Sequence, residues 1–344
     1  LYTWGLGLII FIDDYLNALA VGSAMRKVTD KFRVSREMLA YVVDSTAAPM
    51  CVLVPVSTWA VFFSGLFEAS NYAEPGQGMA LFISSIPYML YAWISVLIVP
   101  LVATGIIPAL GPMKAAQAKA VALDNNADPQ DIAADQKAGG KVRIYHFLLP
   151  IFTLLGVSLW FDLDVQIGVI VAVATTILLY GFQRILAWSE LFDGVVEGIQ
   201  VMVPALTIVV IAFVFSEIND RLGLAVFIIE NVTPYMTPTL FPLVVFVTMG
   251  FVSFATGSSW GVFAIAVPII LPFADSVGVD MPLAIGALVS ASVFGSHACF
   301  YSDATVLTAQ GSGCGVVEHA VTQLPYALIS AVLAAVSLTV VAAL

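Results

Sequence analysis

Four short runs of this chain set carboxylates and hydroxyls in the middle of apolar stretches. They are Phe11-Ile-Asp-Asp-Tyr-Leu-Asn17, Val43-Asp-Ser-Thr-Ala-Ala-Pro49, Ala255-Thr-Gly-Ser-Ser-Trp-Gly261 and Gly295-Ser-His-Ala-Cys-Phe-Tyr-Ser-Asp-Ala-Thr305. A carboxylate at membrane depth is costly as a bare anion and by default marks an ion or proton pathway. The cost falls once a proton or a metal ion sits on it, which is the exchange an antiporter performs. Gly and Pro in the same runs release backbone carbonyls and amides from the helix ladder. In lipid such groups must find partners, so breaks of this kind belong in a protein interior or a wet cavity. Carboxylates, hydroxyls and freed carbonyls together would make the all-oxygen cage that a hard cation requires.

The candidate ion- or substrate-binding residues are Asp13, Asp14 and Asn17 in the first run, and Asp44, Ser45 and Thr46 in the second, with Ser57 and Thr58 beyond it. Thr256, Ser258 and Ser259 come from the third run, and His297, Ser302, Asp303 and Thr305 from the fourth. Na⁺ is expected at Asp14, Asp44 and Asp303. Asp13 and Asp14 are adjacent and would point about 100° apart on a helix, so one of them rather than both should face the cavity. Simpler roles compete: Asp44, or one of the Asp13/Asp14 pair, could cap a half-helix, and His297 could be a packed histidine instead of a proton carrier. Glu217 and Glu230 lie near segment ends and read as interfacial.

An enzyme reading rests on Gly257-Ser-Ser-Trp-Gly261, which fits the G-x-S-x-G elbow of hydrolases and would pair Ser259 with His297 in an intramembrane serine protease. That elbow needs a strand-to-helix turn, and no strand is readable here. H-E-x-x-H, P-loop and dinucleotide fingerprints are all missing, so no enzyme activity and no cofactor are expected, with Na⁺ and H⁺ as transported ions only. Cys51, Cys299 and Cys314 have neither paired nor metal-ligand spacing and read as small apolar fillers.

These residues need helices in lipid to hold them. Of the 344 residues 60% are hydrophobic and 10% charged, and the mean hydropathy is +1.01. Soluble chains carry about 25% charged residues, so most of this surface must face lipid. The expected fold is an all-α polytopic membrane protein with about ten transmembrane segments, several of them interrupted. The segments read as 1–24, 39–67, 80–110, 144–161, 165–182, 199–218, 222–237, 239–274, 282–310 and 319–344. The net charge of −11 lies on loops and a few buried carboxylates, and no basic aromatic patch suggests nucleic acid. Membrane lipid is the expected surrounding, and a second copy of the chain is the protein partner entertained.

The loop from Met25 to Glu37 holds Arg26, Lys27, Lys31, Arg33 and Arg36, and the connection 111–143 holds Lys114, Lys119, Lys137, Lys141 and Arg143. Both should be cytoplasmic. The Glu68–Met79 and Phe273–Met281 loops carry acids and no base, and should lie outside. Residues 1–110 read as the end of a first repeat, 111–143 as a cytoplasmic loop and 144–344 as a second repeat of opposite orientation. A shift of 245 residues lays Asp13-Asp14-Tyr15 on Ser258-Ser259-Trp260, and Ser57-Thr58 on Ser302-Asp303. Inverted repeats of this kind characterise many secondary transporters. The chain opens inside an apolar run and reads as N-terminally truncated, with about three helices expected upstream to mirror 165–237.

At these same residues the chain resembles the NhaC-type Na⁺/H⁺ antiporter family of the ion-transporter superfamily. The matching runs are Phe11–Asn17, Asp44-Ser-Thr-Ala-Ala-Pro49 with Pro55-Val-Ser-Thr-Trp59, Ala255–Gly261, and Ser302-Asp-Ala-Thr305 with Thr322-Gln-Leu-Pro-Tyr-Ala327. The resemblance covers nearly the whole chain and is weakest over 110–190. It implies exchange of Na⁺ or Li⁺ for H⁺ by alternating access across a bacterial or archaeal cytoplasmic membrane, through an inverted-repeat helical fold. The chain departs from the family at Ser296, where a carboxylate is common, and at Cys299-Phe300, where Ser-Pro is common. The missing carboxylate makes the cage less negative. Relatives on the same scaffold exchange small organic acids or amino acids, which is the alternative cargo.

Overall fold

The computed structural model describes residues 1–124, 144–161, 165–223, 227, 231 and 237–344. Among these residues the ordered elements are helices, and none is a strand. The segment expected at 222–237 and the bases Lys137, Lys141 and Arg143 fall mostly or wholly outside the described residues, as does Glu230.

The chain forms two compact units, 1–119 with 207–344, and 120–206. In the smaller one, α9 (Ile144–Trp160) and α10 (Val165–Phe182) pack as a hairpin. Tyr145 at its open end donates to Gln183 at 2.9 Å. The larger unit holds every candidate residue.

In the larger unit each expected first-half segment is broken. Residues 1–31 form α1 (Tyr2–Ile9) and α2 (Asp14–Lys31). Residues 36–69 form α3 (Arg36–Asp44), α4 (Ala48–Leu53) and α5 (Thr58–Ala69). Then come α6 (Gly78–Ser85), a 3₁₀ turn at Ile86–Tyr88, and α7 (Leu90–Ala103). Farther on, α12 (Phe241–Thr256) and α13 (Ser259–Val277) part at Gly257, whose φ of 69° suits the residue without a Cβ. α14 (Met281–Ala298) and α15 (Asp303–Ser312) part at Cys299–Ser302, and α16 (Val316–Ala343) ends the chain. Helix α11 (Trp188–Arg221) enters this unit from the smaller one.

Two expected loops are partly helix. α2 continues through Met25 to Lys31, so the basic turn shrinks to residues 32–35. Good helix formers such as Met, Arg and Lys carry it there. Likewise Gly111–Asp124 is a helix, α8, rich in Ala, Lys and Gln. Gln117 ties it to the basic turn, donating to the Arg33 carbonyl at 2.6 Å and accepting from the Ser35 amide at 3.1 Å.

Among the described residues, α13, α14 and α16 are long and apolar enough to cross a membrane, and two bent pairs, 36–53 with 58–69 and 78–88 with 90–103, qualify as broken spans. Fewer straight spans result than the ten segments expected, because helix breaks divide them. α14 is buried on nearly all sides. α16 buries Ala331, Ala334 and Leu338 and exposes Val332, Val336 and Val340, as a helix between core and lipid should.

Start positions recur along the chain. The N-caps Asp13 and Ser258, Ser35 and Asp280, and Ser57 and Ser302 are each 245 residues apart. Tyr72, in the first acidic loop, feels the charge of Asp275 near the second, so these two loops share one end of the unit.

α2 and α15 lie backbone to backbone. A Cβ on Gly311 would sit 2.3 Å from the Ala18 carbonyl oxygen, and one on Gly22 would sit 2.7 Å from the Gly311 carbonyl carbon. Arg26 donates to the Gly311 carbonyl at 2.6 Å and also to that of Gln310, while Arg36 donates to Ser312 at 3.2 Å and pairs with Asp30. Two cations thus cover the negative end of α15. Gly311→Ala should therefore lower thermal stability in detergent by roughly 1–3 kcal/mol. Gly65→Ala, with nothing within 4 Å of the new methyl, should leave the melting temperature unchanged or slightly raised. Equal midpoints for the two variants would contradict the close approach.

Candidate functional site

Each helix break leaves carbonyls at one helix end and amides at the next without ladder partners. Here the carbonyls are taken by side-chain donors. The Asn17 amide nitrogen faces three carbonyls, Gly7 at 2.9 Å, Ile10 at 2.6 Å and Thr46 at 3.0 Å, and so closes the ends of α1 and α3 together. Gln323 donates to His297 O at 2.5 Å, and Ser302 and Thr305 reach Ser296 O and Cys299 O at 2.8 and 3.1 Å. Tyr301 covers Ala255 O at 2.7 Å. The freed carbonyls expected from the sequence thus each hold a side-chain donor, because an unpaired buried carbonyl costs about as much as a lost hydrogen bond.

The amide ends are capped by the expected hydroxyls and one carboxylate. Ser57 accepts from the Ala60 amide and donates to Cys51 O at 2.6 Å, Ser302 caps Thr305, and Ser258 caps Gly261. Thr46 and Thr256 turn back onto their own helices, at Val42 O and Val252 O. Ser259 is buried, and its carbonyl accepts from Ser292 at 3.3 Å. Six candidates, Thr46, Ser57, Thr256, Ser258, Ser302 and Thr305, therefore bond to the backbone, as does the Asn17 amide nitrogen, while Asn17 Oδ1 is buried without a partner.

The remaining candidates form two clusters. In the first, the starts of α2, α5, α13 and α15 meet. Asp13 is the N-cap of α2 with extended backbone at φ −147°; it accepts from the Leu16 amide at 3.0 Å and from the Thr58 hydroxyl at 3.1 Å. Asp14, 3% exposed, accepts from the Trp59 indole at 3.0 Å. Both carboxylates therefore face α5, against the expectation that only one would share the cavity, since helical spacing does not apply to an extended cap. Tyr15 donates to Asp303 across the two halves of the chain. Asp303, 2% exposed, also accepts from the Ala304 amide at 2.8 Å. The charges of Asp13 and Asp303 both act on Asp14. Trp59 and Trp260 stand with ring centroids 4.7 Å apart.

In the second cluster Asp44, 2% exposed, accepts from His319 at 3.1 Å and Gln323 at 2.8 Å. It ends α3, where the helix dipole is unfavourable to a carboxylate, so it depends on these donors. His297 lies between Tyr91, 2.7 Å from Nδ1, and Ser45, 3.3 Å from Nε2. No contact joins His297 to Ser259, so the serine-protease arrangement is not formed. The sodium cage expected from Asp14, Asp44 and Asp303 is corrected: Asp44 sits in its own cluster, though its charge still acts on Asp303. Among the described residues no three His, Cys, Asp or Glu side chains gather as a metal cluster.

A family model described as Na⁺/H⁺ antiporter family matches residues 50–343. The chain belongs to that family. The family and the named relatives below point to membrane transport and away from catalysis. It is 29% identical to an uncharacterized protein of Haemophilus influenzae, over 93% of this chain and 66% of the relative. It is 27% identical to the malate-2H(+)/Na(+)-lactate antiporter of Bacillus subtilis over 55% of this chain and 40% of that one. It is also 27% identical to the arginine/ornithine antiporter ArcD of Halobacterium salinarum over 54% and 39%. The chain thus spans slightly under two thirds of the first of these relatives and about two fifths of the others.

Within this antiporter fold, sequence reasoning missed Tyr15, Trp59, Tyr91, His319 and Gln323 as members of the two clusters. Tyr15 and Trp59 adjoin candidate residues. His319 starts an apolar helix and sits 275 residues from Asp44, so nothing local betrays it. Removing one partner of a buried hydrogen bond to a carboxylate leaves the other unsatisfied, at a cost of about 1–3 kcal/mol and more for a charged group. His319→Ala should therefore destabilise the protein by several kcal/mol in thermal unfolding, and Asp44→Asn in the same background should cost far less than it does alone. Additive losses would refute the pairing.

Proposed function

We propose that this protein is a secondary active transporter exchanging Na⁺ or Li⁺ for H⁺ by alternating access, as a multi-pass protein of a bacterial or archaeal cytoplasmic membrane. The observation that carries this reading is the meeting of four helix N-termini with three carboxylates. Each N-terminus is equivalent to about half a positive charge. Four of them supply about +2 against the −3 of Asp13, Asp14 and Asp303, leaving roughly one negative charge. One Na⁺ or one H⁺ neutralises that remainder, so a site of this composition favours single occupancy by either ion.

The layout supports access from two sides. α2 and α15 run from the cluster towards Lys31 and the Arg26/Arg36 pair, while α5 and α13 run towards the acidic loops. The basic end reads as cytoplasmic. The 245-residue recurrence of N-caps supports two inverted repeats: α2 corresponds to α13 and α5 to α15. The contact of α2 with α15 then has its mate in the contact of α13 with α5, where Phe263 meets Phe63 at 4.3 Å. Exchange of partners of this kind is what a pseudo-two-fold axis produces.

A second reading, coupled transport of a small organic acid or amino acid, draws on the same positive helix ends, which would face a cargo carboxylate. It also draws on the aromatic wall of Trp59, Trp260 and Phe62 and on the cargoes named for the Bacillus and Halobacterium relatives. Everted vesicles carrying the full-length protein and a pH-sensitive dye decide between them. Na⁺ or Li⁺ should dequench the dye, and Asp14→Asn and Asp303→Asn should each abolish the response. Silence towards both cations, with uptake of labelled malate or arginine, would establish the second reading.

A further inference from the structure

The three carboxylates of the first cluster are close enough to feel one another, yet they form no metal-holding group in this conformation. Aromatic donors stand in the way. Trp59 occupies an oxygen of Asp14, and Tyr15 occupies Oδ2 of Asp303. The other Asp303 oxygen accepts from the Ala304 amide, a bond fixed by the first turn of α15. The amide is held in the first turn of the helix, whereas the phenol belongs to a side chain, so Oδ2 is the oxygen that a cation gains by displacing a mobile donor. Tyr15 is in the first turn of α2 and only partly buried, so its ring can turn away as a side chain. The Trp260 side chain acts on the same phenol.

We infer that Tyr15 sets the affinity of the site by competing with the cation for Asp303: its hydroxyl fills a coordination position at Oδ2 and is displaced when the ion enters. The inference rests on the reading of Asp303 as a cation-binding group. It assigns the phenol the opposite role from a ligand. A ligand adds affinity, whereas a competitor subtracts it and so sets the ion concentration at which the carrier loads. A hydrogen bond to a charged group is among the stronger ones, so removing it should tighten cation binding about ten-fold.

The test uses the full-length protein in proteoliposomes and reads the half-saturating Na⁺ concentration for H⁺ release. Tyr15→Phe keeps the ring and deletes the hydroxyl. It should lower the half-saturating concentration about ten-fold. Wild type should also show a Na⁺-induced tyrosine signal in ultraviolet difference absorbance, absent from Tyr15→Phe; a purely structural role would not produce that signal. Trp260→Phe, which removes the indole acting on the same phenol, should shift the concentration in the same direction by less, and it serves should Tyr15→Phe fail to fold. An unchanged or raised half-saturating concentration in Tyr15→Phe, with Asp303→Asn losing Na⁺ dependence, would overturn the competitor role and leave the cation reading standing. Retained Na⁺ dependence in Asp303→Asn would overturn the cation reading itself.

Discussion

Every broken helix in this protein must satisfy backbone groups that lipid cannot, and that constraint governs the rest of the structure. Carbonyl ends and amide ends arise together at each break, but they are handled differently. The carbonyl ends take neutral side-chain donors, Asn17, Gln323 and Tyr301 from farther along the chain and Ser302 and Thr305 from across the break itself. The amide ends take local caps and keep their positive character. The consequence is a sorting of charge, with four positive helix starts gathered around carboxylates and the negative helix ends closed elsewhere. Asp44 is the exception that requires help, and His319 with Gln323 supplies it.

The same sorting explains why the two clusters differ in chemistry. Around Asp13, Asp14 and Asp303 the field is positive backbone and the neighbours are aromatic donors, Trp59 buried and Tyr15 partly exposed. Around Asp44 the neighbours are buried histidine and glutamine with no exposed surface, fixed by packing among α3, α14 and α16. The first arrangement suits an ion that arrives and leaves. The second suits a permanent joint holding the ends of two broken helices together, and Gln323 makes that joint literal by bonding Asp44 and His297 O at once.

Much of this was legible in the residues. The four polar runs mark four of the breaks, because only interior breaks can place Asp, Ser and Gly in apolar segments, and the 245-residue shift pairs the same caps that the helices use. The α9 and α10 boundaries follow directly from apolar length. What composition could not reveal was which polar group serves which purpose. Asn17 reads as a ligand from its neighbours, yet its amide closes three carbonyls. Asp13 reads as helical and is extended. The partnership of Asp44 with His319 depends on α3 meeting α16, which is tertiary information. Helix α8 was hidden by its charges, which look like a loop until Gln117 docks it.

The central claim is that the four helix starts and their aspartates form one site holding one exchangeable positive charge. Its most direct test counts protons released when Na⁺ is added to purified protein in weakly buffered detergent solution. The account predicts about one proton per molecule, abolished in Asp303→Asn and kept in a folded Asp44→Asn variant. Release that survives Asp303→Asn and disappears in Asp44→Asn would contradict it and move the exchange to the histidine cluster.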